Sequence, residues 1–266
     1  MVEADIIKIR TNDNRLILGH FENNIFVGKG YEVTSQGHIY IGLLDIQDKE
    51  NNSNQTILNN IIRHGKGLIH FKDGSKYEGE FKENNMEGDG TMCYFDGGIY
   101  EGKFKKGVRN GYGKMIYSNS DQYEGGWENG KRSGKGIYTK YNGEVYEGNW
   151  LNDFRHGHGK LSLNTKYSYE GDWYNDKKHG KGIEKFSNEE SYYGDFKDGF
   201  RDGKGLFVFV NGDTYKGDWK NDKMHGSGCM ITFGGEEING TWENGFIGKN
   251  LTTEGGSQKD KNCTIF

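Results

Sequence analysis

Tyr123-Glu124-Gly125-Gly126-Trp127-Glu128-Asn129-Gly130-Lys131-Arg132-Ser133-Gly134-Lys135-Gly136 is the stretch whose reading decides the fold. Its tyrosine recurs every 23 residues, as Tyr77, Tyr100, Tyr123, Tyr146, Tyr169, Tyr192 and Tyr215. Four residues after each stands a large aromatic: Phe81, Phe104, Trp127, Trp150, Trp173, Phe196 and Trp219. With Trp242 included, every tryptophan of the chain occupies this one place. Number the tyrosine as position one. Glycine then fills positions three, twelve and fourteen, as in Gly125, Gly134 and Gly136 or Gly171, Gly180 and Gly182. A fixed period of this length marks a repeat architecture of about ten units. Running backwards, one unit begins at Tyr40-Ile41-Gly42 and closes at Gly65-Lys66-Gly67, after a polar, Asn-rich loop insertion within Asp45–Asn60. Ile17-Leu18-Gly19-His20-Phe21 reads as a degraded first unit.

Positions one, three and five share one face of a strand, because strand side chains alternate. Positions twelve, fourteen and sixteen share one face of the next. A hairpin with five opposite twelve, three opposite fourteen and one opposite sixteen sets large side chains over glycine, so that aromatics can tile the face. Positions seven to eleven are expected to turn the hairpin. A second turn near position twenty, such as Asn142-Gly143 or Asn211-Gly212, leads to the next unit. No unit buries its face alone, so neighbours must stack. The expected fold is all-β: an elongated single-layer antiparallel sheet of 23-residue hairpins, bent into a groove. Residues 1–16 form a cap strand, 17–248 the array, 249–262 a polar tether and 263–266 a terminal motif.

Composition agrees. The chain has 266 residues, 44 Gly and no Pro, and only 32% of it is hydrophobic. Mean hydropathy is −0.94. The 17 Tyr, 15 Phe and 5 Trp supply the burial that a disordered chain lacks. A net charge of −4 is unlike a nucleic-acid binder. No basic segment leads into an apolar run at the N-terminus, so no secretory signal is expected. Three widely spaced cysteines suggest neither a disulfide framework nor a zinc site. A cytoplasmic location fits.

The Tyr-Glu-Gly-x-aromatic motif followed by Gly-x-Gly resembles the MORN (membrane occupation and recognition nexus) repeat family, over about Ile17 to Gly248. Tyr193 and Lys216 depart from it, standing where the family has Glu. The resemblance implies a scaffold without catalytic activity or cofactor, working at membranes, cytoskeleton or cilia, or as an accessory segment of enzymes such as lipid kinases. The expected partner is a protein, as a helix laid on the aromatic groove beside Trp127, Trp150, Trp173 and Trp219; homodimerisation is a further expectation.

The sequence ends Cys263-Thr264-Ile265-Phe266, which reads as a prenylation box with Cys263 as the modified residue, followed by methylation, and hence a peripheral membrane location. One prenyl chain anchors weakly, so a second contact is needed. Basic residues recur at position ten (Arg109, Arg132, Arg155, Lys178, Arg201) and at thirteen (Lys135, Lys181, Lys204). Such a stripe has two readings: attraction to acidic phospholipid, or a solvated edge that discourages aggregation. His64, His156, His179 and His225 share position eleven and are far apart along the array, so a metal site is not expected. Gly130 to Gly136 echoes a phosphate loop but is one residue short and lacks the Ser/Thr.

Overall fold

The computed structural model describes residues 6–22, 25–46, 61–164 and 166–248. These contain 21 strands and no helix. The chain divides into two units, Met1–Phe154 and Arg155–Phe266. Within each, consecutive strands pair antiparallel as a single-layer meander of hairpins.

The repeat starting at Tyr123 shows the plan. Strand Gln122–Glu128 turns into strand Lys131–Thr139 through only two residues. These are Asn129 at φ 49° and Gly130 at φ 80°. Two left-handed residues make the turn whose twist matches that of the flanking strands. Asn152-Asp153, Asn175-Asp176 and Asn221-Asp222 repeat it. The turn expected over positions seven to eleven is therefore shorter, seven and eight alone. At the opposite edge the Gly143 amide donates to the Lys140 carbonyl at 2.9 Å, and Asn142-Gly143 is the turn into the next repeat, as expected.

The register is half as expected. Tyr123 pairs with Tyr138 and Gly125 with Gly136, so one faces sixteen and three faces fourteen. Trp127, however, pairs with Arg132. The short turn brings position ten, not twelve, opposite five. The second strand then carries more residues than the first, and a bulge between Gly125 and Trp127 absorbs the difference. Gly134 instead pairs with Trp150 of the following repeat. The large-over-small pair exists, but it joins neighbouring repeats rather than the two arms of one hairpin.

Glycine meets glycine in both kinds of pairing. In the first unit an unbroken row runs across the strands from Gly42 to Gly148. In the second a row runs from Gly159 to Gly240. The tyrosine of each repeat lies flat on this row. A β-carbon added at Gly136 would sit under 3.0 Å from three atoms of the Tyr123 ring and hydroxyl. Lying there, the Tyr123 hydroxyl reaches the Gly126 carbonyl and donates to it at 2.9 Å. Tyr77, Tyr100, Tyr192 and Tyr215 donate likewise at 3.0 Å to position four of their own repeats.

The aromatic at position five completes the layer. Phe104 stands edge-on to Tyr100 at 5.1 Å and to Tyr77 of the preceding repeat at 4.9 Å. Trp127 does the same with Tyr123 and Tyr100. Each such contact adds about 0.5–1.5 kcal/mol to the area buried. The indole nitrogens of Trp127, Trp150 and Trp173 donate to the position-fourteen carbonyl of the preceding repeat, at 3.1, 3.2 and 3.0 Å. One ring thus carries the apolar contact and a polar link together.

At the N-terminal end, Ile17 stands in the tyrosine place and is fully buried. Strand Ile6–Arg10 pairs with Leu16 to His20 ahead of it. Glu32, buried, is held between Arg15 Nη1 at 3.2 Å and Arg63 Nε at 2.8 Å. Within the insertion range 45–60, Asp45 and Ile46 pair as strand with Ile62 and Ile61. Its remainder, 47–60, lies outside the described residues, as do the tether and the Cys263 motif.

Two measurements test this packing. Gly136→Ala must push the Tyr123 ring off the row and should cost about 1–3 kcal/mol in urea unfolding. Gly130→Ala, with open space at its β-carbon but φ 80°, should cost only about 1 kcal/mol. Burial raises the phenols of Tyr77, Tyr123 and Tyr192 above the ordinary value and pushes Tyr100 and Tyr215 up to about 12. The folded state therefore keeps its phenolic protons where the unfolded chain has lost them. Stability should be constant below pH 10 and fall as pH rises from 10 towards 12, with phenolate absorbance at 295 nm appearing together with unfolding.

Candidate functional site

The position-ten cations point inward. The Arg132 guanidinium lies 4.2 Å from the Trp150 ring centre. Its Nε meets Asp153 Oδ1 at 3.1 Å and its Nη2 donates to the Asp153 carbonyl at 2.9 Å. Arg155 treats Trp173 and Asp176 the same way, and Arg201 treats Trp219 and Asp222. Arg109 stacks on Trp127 at 4.2 Å and donates to the Gly130 carbonyl at 2.8 Å. Lys178, the exception in type, lies 5.2 Å from the Phe196 ring and pairs with buried Glu184, which also accepts from the Tyr167 hydroxyl.

These residues are a roof over the aromatic layer. Each cation caps the ring of the next repeat, and each arginine also clasps that repeat's turn. The guanidiniums are spent on indole faces and Asp or backbone oxygens and the Lys178 ammonium on Phe196 and Glu184, so Arg109, Arg132, Arg155, Lys178 and Arg201 do not form the free basic edge that a lipid reading needs. The signal in the sequence was the partner. Asp153, Asp176 and Asp222 each follow their arginine by 21 residues, at position eight of the next repeat.

The roof closes the aromatic face. Trp127, Trp150, Trp173 and Trp219 are only 4–6% exposed. An aromatic groove standing half open at these four rings is not what the structure has. The reason is geometric: a one-layer sheet still buries its aromatics when a second tier of long side chains lies on them.

The opposite face carries positions two, four, six, nine, eleven, thirteen and fifteen. Here Lys181 pairs with Asp195 and Lys204 with Asp218, each at 2.6 Å, position thirteen reaching position four of the next repeat. Lys135 faces Asn149 there and has no carboxylate opposite. His156 and His179 both contact the Tyr174 ring, at 5.1 and 5.8 Å. Large apolar side chains stand out on this face and on the turns. In the first unit Phe95, Tyr112 and Tyr141 are 74, 62 and 82% exposed. In the second, Tyr174, Phe200 and Phe233 are exposed.

The model of the MORN repeat matches this chain at 59–76, 77–99, 100–122, 123–145, 146–165, 169–190, 192–214 and 215–235. The chain belongs to the MORN repeat family. The MORN strand pattern continues beyond the matched segments, from the hairpin at Leu16–Val33 to Ile247. No curated protein sequence matches it. Among solved structures, the TCP domain of SAS-4 from Drosophila melanogaster, in complex with a proline-rich motif of Ana2, is similar at 16% identity. That match covers 66% of this chain and 90% of the other, with a TM-score of 0.37. The TCP10 domain of CPAP from Danio rerio is similar at 6% identity, covering 80% of this chain and 94% of the other, with a TM-score of 0.42. The same domain in complex with a STIL peptide matches at 7% identity over 90% of this chain and 100% of the other, with a TM-score of 0.39.

Removing a roof residue gives a direct test. Arg132→Ala should lower stability by about 1–2 kcal/mol and raise acrylamide quenching of tryptophan emission, since Trp150 loses its cover. Lys181→Ala, which removes an exposed lysine from its pair with half-buried Asp195, should cost under about 1 kcal/mol and leave quenching unchanged.

Proposed function

We propose that this MORN chain is a non-catalytic scaffold that binds a partner protein through the face and turns opposite its aromatic layer. The observation that carries it is the division of labour among the recurring residues. Tyrosine, tryptophan, arginine and the turn aspartates hold repeat to repeat, and what remains outside is apolar side chain on a polar surface. Large apolar side chains recurring on an exposed face and its turns offer a partner surface to bury. A helix seated on the tryptophan rows has lost its support, because those rows are covered. Lipid attraction by the position-ten stripe has lost its support for the same reason.

The second part is a prenyl anchor on Cys263. It is supported by the Cys263-Thr264-Ile265-Phe266 spacing and holds where Phe266 is the last residue made. It would bring the scaffold to a membrane surface. A soluble cytoskeletal or ciliary role is the alternative without it.

The triple variant Phe95→Glu, Tyr112→Glu, Tyr141→Glu should unfold like wild type yet lose the partners found by proximity labelling. An unchanged partner set sinks the contact surface. Intact mass of the chain from a eukaryotic host should show one prenyl group and loss of Thr264–Phe266. An unmodified mass, or membrane fractionation unchanged in Cys263→Ser, removes the anchor. Unprenylated protein should show no salt-sensitive pelleting with acidic vesicles.

A further inference from the structure

Several repeats fill a recurring hollow with their own side chains, and the repeat starting at Tyr123 does not. On the face opposite the aromatic layer, position four lies over the glycine at position twelve. A β-carbon added at Gly111, Gly180, Gly203 or Gly226 would meet Lys103, Asp172, Asp195 or Asp218 at 3.1, 2.6, 2.7 and 2.8 Å. At Gly88 it would meet the Glu80 carboxylate. In the second unit the aspartate does more than fill space. Asp172, Asp195 and Asp218 accept from the backbone amides of Lys181, Lys204 and Ser227, at 3.3, 2.8 and 3.0 Å. In the second unit position four is thus a carboxylate socket with the position-thirteen amide as its donor, while in the first unit Lys103 fills the same hollow.

The repeat starting at Tyr123 has Gly126 in that place. Nothing stands within 4 Å of a β-carbon at Gly134. Gly126 cannot simply be replaced, because its own β-carbon would run into the Ser133 carbonyl oxygen. The space left is a cavity of about 680 Å³, lined by Gly126 and Gly134 and also by Lys105, Lys106, Asn110 and Trp127.

The position-thirteen lysine beside it is left without the ion pair that its counterparts in the second unit make. In the second unit, lysines at position thirteen reach the aspartate of the next repeat. Lys135, beside Gly134, faces Asn149 of the next repeat. Among the described residues, the ammonium groups of Lys105, Lys106 and Lys135 have no ion-pair partner. Of the nearby carboxylates, Glu87 accepts from the Lys106 amide at 2.9 Å, Glu124 from the Tyr112 hydroxyl at 2.9 Å, and Glu128, which lines the cavity, from the Ser133 hydroxyl at 3.3 Å. The hollow keeps its glycine bed and has three ammonium groups without ion pairs beside it, but no position-four side chain fills it.

We propose that this cavity receives an acidic side chain from a partner polypeptide. An aspartate or glutamate of an extended acidic segment takes the place of the missing position-four carboxylate. It accepts from the Lys135 amide, as Asp172 accepts from that of Lys181, and the ammonium groups of Lys105, Lys106 and Lys135 hold its charge. This rests on the reading of the chain as a protein-binding scaffold and names the chemistry of one contact.

The test uses the full chain and a fluorescein-labelled ten-residue peptide of alternating aspartate and serine, against the same peptide with asparagine at every aspartate. Anisotropy should show the acidic peptide binding at least about tenfold more tightly, with affinity falling as salt rises. The triple variant Lys105→Gln, Lys106→Gln, Lys135→Gln should lose that preference. Lys197→Gln, Lys220→Gln, Lys223→Gln, which removes three exposed lysines of the second unit, should keep it. Urea unfolding of both variants should match wild type, all six side chains being on the surface. Equal losses in the two variants would reduce the effect to net charge and overturn the proposal. So would displacement of the peptide by inorganic phosphate, or by phosphatidylserine vesicles, at matched charge concentration. Absence of peptide binding in a wild-type protein that still labels its partners would overturn this site and leave the scaffold reading standing.

Discussion

A tyrosine ring lying on two glycines is the contact on which the rest of the structure depends. With any side chain at position three or fourteen the ring would have to rise. If it rose, its hydroxyl would leave the position-four carbonyl, and the edge-on contacts with position five on both sides would open. The same ring therefore fixes the strand register, the spacing of the repeats and the burial of the next aromatic. It also explains how a chain with 32% hydrophobic residues forms an ordered sheet. Few side chains are apolar, but the fully buried tyrosines and every tryptophan are placed at two positions of the period, where they touch their counterparts in adjacent repeats.

The cationic tier follows from that layer. A single sheet has no second sheet to cover its aromatic face. Long arginine side chains supply the cover, their planar guanidiniums lying on indoles while their edges take the oxygens of the next turn. The variation at Lys178 obeys the same logic. Its repeat has Glu184 where Tyr138 or Phe207 stands in others, and the next turn carries Gly199 instead of aspartate. The ion pair with Glu184 takes the place of the clasp. What is left for recognition is the other face, where the repeats differ most from one another.

Much of this was legible in the residues. The 23-residue period, the two strands per repeat, the pairing of one with sixteen and three with fourteen, and the turn at Asn142-Gly143 all follow from the places of Tyr and Gly. Two things did not. The register at Trp127 depends on how many residues the turn consumes, and Asn129-Gly130-Lys131-Arg132-Ser133 is polar throughout, so polarity could not show where the chain turns back. The role of Arg132 depends on Asp153 and Trp150, which lie in the next repeat and meet it only once the strands are aligned. A basic stripe in sequence looks the same whether its charges face water or lie on rings.

By itself the sequence determined the repeat, its family and the all-β class, because a strict period of aromatic and glycine positions permits only strands that bury one face against their neighbours. It also marks Cys263 as a residue to test. The tertiary structure decided which residues are available. It covered Trp127, Trp150, Trp173 and Trp219, engaged the position-ten cations, and left open the hollow at Gly126. The physical reason is that burial and pairing belong to contacts between repeats. One period read alone shows which side chains exist, and only the stacked array shows which of them already have partners.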